Sequence, residues 1–328
     1  MPPRVPVDRR LLQDPALLPI ADKMERGERL THSEGAFLFR TPDLIGLGSL
    51  ADQANRARWG NRVTFAANQH INPTNVCILR KTCVFCSYAR LPKEEGAYRY
   101  SLEQTLAEAA HAKNGLTREF HIVGGLDMDA GLAYYTTMFR ALKKEHPNVH
   151  IKALTAVEIA HIARIDKMPV KDVLIALREA GLDTMPGGGA EVFSKGVRAT
   201  IADRKLSGEE YITVHQTAHE LGIRSNCTML YGHVEAVEDR IEHLAMLRQL
   251  QDRTGGFLAY IPLAYHPDNN ELGETLHMQG TATSGFDDLR NLAVARLFFD
   301  NIPHVKTHWV MVTPFLSQTA LHFGANDL

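Results

Sequence analysis

The sequence of 328 residues has few cysteines, no long apolar run and no excess of either charge. Its 36 basic and 38 acidic residues leave a formal net charge of −2, whereas proteins with a general nucleic-acid-binding surface are usually strongly basic. No stretch has the length and apolar character of a membrane span, and residues 1–10 lack the apolar core of a signal peptide. We therefore expect a cytoplasmic protein that binds neither nucleic acid nor membranes.

The residues that are present fit a globular protein with a large core. Hydrophobic residues make up 45% and charged residues 23% of the chain, and short β-rich runs alternate with segments of helical periodicity. This alternation predicts parallel strands with crossover helices in an α/β fold, and the periodicity fits a doubly wound sheet and a barrel equally. The predicted strands are 63–70, 119–124, 149–154, 182–185, 223–230, 257–263 and 305–312.

Three regions differ in character. Residues 1–62 are polar and predict an N-terminal helical extension, residues 63–312 carry the strand–helix alternation, and residues 313–328 predict a C-terminal helical segment. Residues 268–285 are polar and predict a long loop. Capping signals and a favoured first-turn proline predict helices that begin at Ser101, Ser207 and Pro169.

Three of the four cysteines lie within ten residues, directly after the first predicted strand. Cys77, Cys83 and Cys86 form this cluster, and Cys227 lies alone in an apolar predicted strand, as a buried small residue does. Thiolates clustered in this way indicate a metal site rather than disulfides. An iron–sulfur cluster is favoured because three thiolates would leave one of four irons open to a ligand. A structural zinc site completed by one of the 16 histidines is the alternative.

Further residues around this cluster resemble the motif of a known family. Phe85 precedes the last cysteine, and Gly124 and Gly125 end the second predicted strand. With the three cysteines, this pattern resembles the radical S-adenosylmethionine (SAM) superfamily, although five residues rather than the usual three separate Cys77 from Cys83. The resemblance implies a partial or full (β/α) TIM-type barrel, a 4Fe–4S cluster on the three cysteines, and SAM as co-substrate. It also implies that the backbone of the glycine pair receives the methionine amino group, as the close approach allowed by glycine permits.

Longer segments narrow the resemblance to two enzyme families of the futalosine route to menaquinone. Residues 186–191, 228–235 and 251–257 resemble both the aminofutalosine synthases and the cyclic dehypoxanthine futalosine synthases. Residues 150–158 favour the aminofutalosine synthases, because the cyclases and their deazaflavin-forming relatives typically carry histidine at the position of Lys152. Two further segments also resemble the aminofutalosine synthases, 33–35 and 308–311.

The resemblance to the aminofutalosine synthases implies a specific reaction. Reductive cleavage of SAM gives a 5′-deoxyadenosyl radical, which adds to the vinyl carbon of 3-[(1-carboxyvinyl)oxy]benzoate. The adduct rearranges and loses its carboxyl group, giving 6-amino-6-deoxyfutalosine. A flavodoxin or ferredoxin would supply the electron. The alternatives are the cyclase of the same route and a non-catalytic α/β domain stabilised by a metal.

Two residues are candidates for catalysis. Glu191 follows three glycines after a predicted strand, where it could reach adenosine or substrate, or act as a first-turn carboxylate at a helix start. His233 ends a predicted strand at the rim where such folds place their chemistry, and a hydrogen-bonded rim histidine is the alternative.

Other candidates contact the cofactor or the substrate. Lys152 lies inside a predicted parallel strand, so it either pairs with an acid, extends to solvent at the barrel end, or meets a substrate carboxylate, with His150 on the same strand face. His266 follows the sixth strand as a further substrate-binding candidate. Tyr88 and Arg90 follow the last cysteine and flank the cofactor or substrate, or are solvated loop residues. Phe85 and Tyr88 are the candidates beside the cofactor.

Overall fold

Parallel strands form the centre of the molecule. A computed structural model describes residues 2–278, 280 and 283–328, and within these residues seven strands pair in sequence order, each parallel to the next. This confirms the predicted TIM-type α/β barrel architecture. The strands are β1 (Asn68–Ile71), β2 (Glu119–Ile122), β3 (His150–Ala153), β4 (Thr184–Met185), β5 (Arg224–Tyr231), β6 (Phe257–Ala264) and β7 (His304–Val305).

A short segment near the end of the chain joins the two outer edges of this sheet. The amide of Thr64, ahead of β1, donates to the carbonyl of Asn326, and the amide of Leu328 donates back to Thr64, both at 2.9 Å. On the other side, Asn326 N donates to Val305 O at 3.1 Å, and Asp327 bridges Lys306. Residues 326–328, here called the closing segment, therefore link β7 to the chain that leads into β1.

Helices precede the first strand and follow most strands. None of those in the described part of the chain has both the length and the apolar character of a membrane-crossing helix. The helices are α1 (Leu18–Arg26), α2 (His32–Leu38), α3 (Leu44–Trp59), α4 (Leu102–Ala109), α5 (Leu132–Glu145), α6 (Ala156–Ile165), α7 (Val170–Ala180), α8 (Lys195–Ile201), α9 (Gly208–Glu220), α10 (Val237–Thr254), α11 (Glu271–Thr275), α12 (Gly285–Phe298), α13 (Trp309–Val312) and α14 (Pro314–Ala320).

Capping explains where several helices begin. Ser101 and Ser207 each accept from the amide of the third helical residue, and the glutamine or glutamate there returns a bond to the capping residue. The two predicted helix starts are confirmed, because both reciprocal bonds of the capping box are present. Pro169 is the capping residue of α7 rather than its first helical residue.

The two faces of β2 and β3 differ sharply in chemistry. Phe120 and Ile151 are fully buried on the outer face, where they belong to the hydrophobic core. Glu119, His121 and Lys152 alternate with these apolar residues and line the barrel interior. Period-two alternation thus places an apolar face against the helices and a polar face around the central cavity.

The sequence prediction fails at the last strand. Residues 305–312 were predicted to be one strand, but β7 ends at Val305 and Trp309–Val312 forms α13. Beyond Val305 the outer edge of β7 is occupied by the closing segment, and Trp309 and Val310 are 52% and 60% exposed. Of the predicted loop 268–285, residues 271–275 form α11, while residues 279, 281 and 282 lie outside the described residues.

Candidate functional site

The cysteine loop follows β1, at the carboxyl end of the strands. The amide of Cys77 donates to Arg90 O at 2.9 Å, and that of Cys86 donates to Cys83 O at 3.1 Å. Cys83 forms an isolated bridge with Ala202 at the end of α8. All three cysteines are free thiols, with Cys83 buried and the other two half-buried. Backbone pairing on both sides therefore fixes the shape of the loop.

The donor chemistry of this loop suits an iron–sulfur cluster. Burial raises the pKa of Cys83 to about 11, so binding iron would displace a proton from this thiol. In the part of the chain that the structure describes, no three His, Cys, Asp or Glu side chains are grouped closely enough for one metal ion. A four-iron cluster binds each thiolate through a different iron, so its ligands need not converge on one point. The assignment of the three cysteines as cluster ligands stays a prediction.

The glycine pair after β2 packs directly against the cysteine loop. A Cβ on Gly124 would lie 2.8 Å from the carbonyl oxygen of Thr74, and one on Gly125 would overlap the backbone of Val76 and lie 3.0 Å from the Cβ of Cys77. The amide of Gly125 donates to Thr74 O at 2.8 Å. Glycine is required here because the turn and the loop touch main chain to main chain. The pair thus supports the cysteine loop, and its contact with the methionine portion of SAM stays a prediction.

Glu158 holds this turn and was missed by the sequence analysis as a site residue. Its carboxylate accepts from Gly124 N at 2.8 Å and from Thr155 N at 2.7 Å, and its side chain is buried. Burial raises its pKa to about 7. The sequence feature that could have revealed Glu158 is the Thr155–Glu158 capping box directly after β3. Its Thr155 also lines the barrel cavity, so the helix cap reaches the site.

Glu158 gives a pH-dependent contribution to stability. Because its pKa is raised in the folded state, the folded protein holds this proton more tightly than the unfolded chain. This proton contributes to the free energy of unfolding below about pH 4.5, and the contribution is lost as the pH rises through about 7. As the pH rises from 4.5 to 8, wild type should therefore lose about 1–3 kcal/mol of free energy of unfolding that Glu158→Gln keeps. Urea unfolding of both proteins at several pH values measures this, and parallel pH profiles would contradict it.

A cavity of about 350 Å³ occupies the barrel interior, lined at one end by Val123, which follows β2, and by the loop after β4. One wall is polar and comes from β1, β2, β3, the end of β7 and the closing segment. The other wall comes from β4, β5 and β6 and is mostly apolar. The polar wall contains Asn68, His70, Glu119, His121, Lys152, His304, Lys306, His308 and Asp327, and the other wall contains Pro186, Gly187, Gly188, Leu258, Ala259, Ile261 and Leu263, with Asn226 and Thr228.

Lys152 lies on the polar wall of this cavity. Its ammonium is 2.7 Å from the Glu119 carboxylate, and the side chains are 14% and 10% exposed. The predicted pairing with a neighbouring acid is therefore present, and Lys152 also faces the space open to a ligand. Beside the pair, the rings of His70 and His121 stack with centroids 4.6 Å apart. Burial lowers the pKa of His121 to about 3, with His70 and Lys152 adding to the effect, so this imidazole is neutral near pH 7.

Glu191 is buried in an ion pair rather than placed at a helix start. Its carboxylate is 2.5 Å from the Lys205 ammonium, which also lies over the Phe85 ring at 5.3 Å from its centroid. Glu191 has a φ of 46°, and the next helix begins only at Lys195, so the first-turn interpretation is wrong. The pair instead connects the glycine-rich turn after β4 to the cysteine loop through Phe85.

His233 lies just beyond the carboxyl end of β5, where its ring is held by hydrogen bonds. Its Nε2 lies 3.1 Å from Leu230 O, its Nδ1 accepts from Val234 N at 2.7 Å, and Glu235 lies 3.1 Å from Nδ1. The side chain is inaccessible to solvent, and burial lowers its pKa. This geometry matches the hydrogen-bonded alternative of the sequence analysis and leaves no ring nitrogen free for a substrate.

Arg90 and Tyr88 shape the cysteine loop. The Arg90 guanidinium donates to the carbonyls of Ser87 and Ala89 at 2.9 Å each, which braces the loop from within. The Tyr88 hydroxyl lies 2.7 Å from that of Tyr98, and 41% of the Tyr88 side chain is exposed. Both residues thus support the loop, and Arg90 is engaged by the loop backbone rather than directed at the barrel cavity.

The two remaining histidine candidates are engaged outside the cavity wall. His150 Nε2 lies 2.7 Å from the Thr184 hydroxyl, two residues nearer the amino end of β3 than Lys152. His266 Nε2 lies 3.0 Å from Met311 O. The structure therefore brings Lys152 to the cavity wall, together with Val123, which precedes the glycine pair, but does not bring His150 or His266 there.

The cavity residues that the sequence analysis missed share a recognisable signal. Polar residues recur at every second position in strands that were expected to be buried on both faces. Such a pattern indicates a barrel with a polar interior, since side chains two residues apart share one strand face. The pairs are Asn68 with His70, Glu119 with His121, and Lys306 with His308.

Comparison with protein-family models decides the family. Residues 71–247, which contain the cysteine loop, the glycine pair and β2–β5, match the model described as the radical SAM superfamily. The chain belongs to the radical SAM superfamily. Residues 254–328 match a second model, described as the CofH/MqnC C-terminal region, and this part includes β6, β7 and the closing segment. The 4Fe–4S cluster and SAM are the cofactors of this superfamily, as the resemblance implied.

Individual relatives agree with this assignment. The chain is 45% identical to the aminodeoxyfutalosine synthase of Thermus thermophilus, over 97% of this chain and 85% of that protein. It is 38% identical to the cyclic dehypoxanthine futalosine synthase of Streptomyces coelicolor, over 95% of this chain and 77% of that protein. Among solved structures, methylornithine synthase superposes with a TM-score of 0.74 and 18% identity, over 94% of this chain and 84% of that chain. This last similarity concerns the fold.

Proposed function

We propose that this radical SAM enzyme is an aminodeoxyfutalosine synthase that acts on 3-[(1-carboxyvinyl)oxy]benzoate. The observation that carries the proposal is Lys152, which lines the cavity with its ammonium paired to Glu119. The cyclase relatives typically have histidine at this position. The substrate has two carboxylates and an aromatic ring, and the cavity offers cations on one wall and apolar side chains on the other.

The residues of the chain would divide the work as follows. When bound on Cys77, Cys83 and Cys86, the cluster supplies the electron that cleaves SAM. The Gly124–Gly125 turn presents backbone to the methionine portion, and Glu158 fixes that turn through its bond to Gly124 N. Enclosing the substrate inside the barrel keeps water and other reactants from the radical.

The pair Glu191–Lys205 positions the cofactor end of the site. Both side chains are buried, and the Lys205 ammonium touches the face of Phe85 in the cysteine loop. In our proposal, Glu191 orients Lys205 and thereby the cysteine loop. His233 holds the carboxyl end of β5 in place through its bond to Leu230 O. The two residues predicted as catalysts thus act as positioning residues.

Product identity tests the proposed function directly. Anaerobically reconstituted enzyme should convert 3-[(1-carboxyvinyl)oxy]benzoate, SAM and dithionite to 6-amino-6-deoxyfutalosine, which mass spectrometry identifies. The same protein should leave dehypoxanthine futalosine unchanged. Turnover of dehypoxanthine futalosine alone would instead establish the cyclase, which is the second candidate because of the 38% identity.

Lys152→Met should weaken substrate binding while the cluster and SAM binding persist. Loss of one charge-assisted contact to a carboxylate costs roughly 1.5–3 kcal/mol, which corresponds to about 10- to 150-fold in affinity. Anaerobic calorimetry with the enolpyruvyl benzoate measures the affinity. Formation of 5′-deoxyadenosine without product shows whether SAM cleavage has become uncoupled.

A second variant separates the substrate contact from the ion pair. Lys152→Met leaves the buried Glu119 carboxylate without its cation, which by itself destabilises a protein. Lys152→Met combined with Glu119→Gln removes both charges and should keep the fold. If this double variant binds the substrate as wild type does, Lys152 has only a structural role.

The electron donor is proposed to be a flavodoxin or ferredoxin. Lys81 and Lys93 are exposed on and beside the cysteine loop, where they would complement an acidic carrier. Reduction by such a donor should slow as salt is raised, and rates independent of ionic strength would argue against this docking site.

A further inference from the structure

The polar wall of the cavity carries a second lysine, Lys306, far along the chain from Lys152. It follows β7 directly, and its backbone amide donates to Tyr260 O at 2.9 Å. β3 and β7 are separated by β4, β5 and β6, so the two lysines approach the cavity from different sides of the barrel. Lys306 and Lys152 therefore provide two separate cationic positions around one space.

The closing segment holds Lys306 in place. The ammonium lies 3.1 Å from a carboxylate oxygen of Asp327, and it also donates to the carbonyl oxygen of Leu328. Asp327 is fixed in turn by the Thr64 hydroxyl at 2.8 Å. Among the residues that the structure describes, these two acceptors account for two of the three N–H donors of the ammonium. One donor remains for a ligand in the cavity.

Imidazoles lie between the two lysines. His121 pairs with Lys152 across β2 and β3 and stacks on His70, while His308 follows Lys306 by two residues. Lys152, Lys306 and His308 all contribute to lowering the pKa of His121, after its burial. A neutral imidazole can donate one hydrogen bond to a carboxylate without adding another cation. This arrangement suits an anion that spans the space from one lysine to the other.

The charges in the cavity are balanced before any ligand enters. Lys152 is paired with Glu119 and Lys306 with Asp327, and all four side chains are less than one-fifth exposed. With a dicarboxylate bound, each lysine would contact one carboxylate of the ligand while it stays paired with its own acid, Glu119 or Asp327. A ligand with one carboxylate would use only one of the two positions.

The chemistry of the proposed substrate assigns each carboxylate to a lysine. The vinyl carbon that receives the 5′ radical is bonded to the carbon that bears the enolpyruvyl carboxylate, so this carboxylate must lie near the cofactor. Lys152 is three residues before Thr155, whose amide shares the Glu158 carboxylate with Gly124. The ring carboxylate is meta to the ether oxygen and points away from the reacting carbon.

We propose that Lys306, held by Asp327 of the closing segment, binds the ring carboxylate of the substrate, while Lys152 binds the enolpyruvyl carboxylate. The aromatic ring then lies against the apolar wall that includes Ile261 and Leu263. This inference rests on the proposed function and names a specificity residue in the C-terminal region of the chain. It predicts that the two lysines respond to different halves of the ligand.

Three compounds and two lysine variants test the assignment. The compounds are the full substrate, 2-phenoxyacrylate, which lacks the ring carboxylate, and 3-(vinyloxy)benzoate, which lacks the enolpyruvyl carboxylate. Binding is measured anaerobically with cluster- and SAM-loaded enzyme. Lys306→Gln should bind the full substrate and 3-(vinyloxy)benzoate about 10- to 100-fold more weakly and leave 2-phenoxyacrylate within about 2-fold of wild type. Lys152→Gln should show the opposite selectivity.

A double variant controls for the possibility that Lys306→Gln weakens binding by destabilising the fold. Lys306→Gln combined with Asp327→Asn removes both charges of the pair and should reproduce the selective loss. Equal losses for all three compounds, or no loss for any, would overturn the inference. If wild type makes product and Lys306→Gln shows no selectivity, the inference fails while the proposed function stands.

The opposite failure is also distinguishable. If wild type makes no aminodeoxyfutalosine, the proposed function fails. Binding of 3-(vinyloxy)benzoate to wild type and Lys306→Gln then still decides whether Lys306 holds an aromatic carboxylate, and equal affinities would overturn the inference.

Discussion

Cys83→Ala is expected to reduce reductive cleavage of SAM to the background rate of the reductant alone. Cys83 is the buried member of the cysteine loop, and its backbone pairs with Ala202. Loss of one of three thiolate ligands prevents assembly of a stable cluster, so the brown anaerobic absorption, iron content and 5′-deoxyadenosine release should all disappear together. Cys77→Ala and Cys86→Ala should have the same effect.

Cys227→Ala is the matched control for this experiment. Cys227 is fully buried in β5, and its thiol contacts the carbonyl of Ala259 at 3.7 Å. It should lose a little stability and keep the cluster and most of the activity. A functional cluster in Cys83→Ala, or none in Cys227→Ala, would contradict the ligand assignment.

Gly125→Ala is expected to disrupt both SAM binding and the cluster. If the pair only received the methionine amino group, as the resemblance implies, the loss would be confined to SAM binding. The structure shows that an added Cβ would meet the backbone of Val76 and the Cβ of Cys77, so the cysteine loop must move. Displacement by about 1 Å can cost about 100-fold in rate, and iron content should fall as well.

Gly196→Ala provides the comparison for Gly125→Ala. Gly196 lies in α8 with nothing within 4 Å of an added Cβ, so this variant should keep wild-type iron content and SAM cleavage. Iron analysis and 5′-deoxyadenosine release are measured on both proteins. A Gly125→Ala protein with full iron content and only weakened SAM binding would show that the turn contacts the cofactor without supporting the loop.

The parts of the fold that follow local rules were predictable. Ser101 and Ser207 begin helices because capping depends on neighbouring residues alone. The β-rich runs form parallel strands. Helices between successive strands cover the apolar outer face of the sheet, and such crossover connections make neighbouring strands parallel. The last predicted strand was wrong, because Val310 has the residue type of a strand but no free strand edge to pair with.

The residue chemistry of the site was only partly predictable. A lysine inside a buried strand marks Lys152 as paired or functional, and the structure shows both the partner Glu119 and the cavity. His150 and His266 have suitable chemistry, but their orientations depend on Thr184 and on the carbonyl of Met311, which are distant in the chain. Glu191 was expected to reach adenosine or substrate or to begin a helix, and its buried partner Lys205 was not foreseen.

The sequence by itself determined the family, the three candidate thiolates and the glycine turn, because these depend on residue identity at short, fixed spacings. Only the tertiary structure decided which polar side chains share the cavity, since Glu119, Lys152, Lys306 and Asp327 are far apart in sequence. The closing segment shows the reason most clearly. Asp327 pairs with Lys306 only because residues 326–328 occupy the gap between β7 and the chain before β1, a position fixed by barrel geometry.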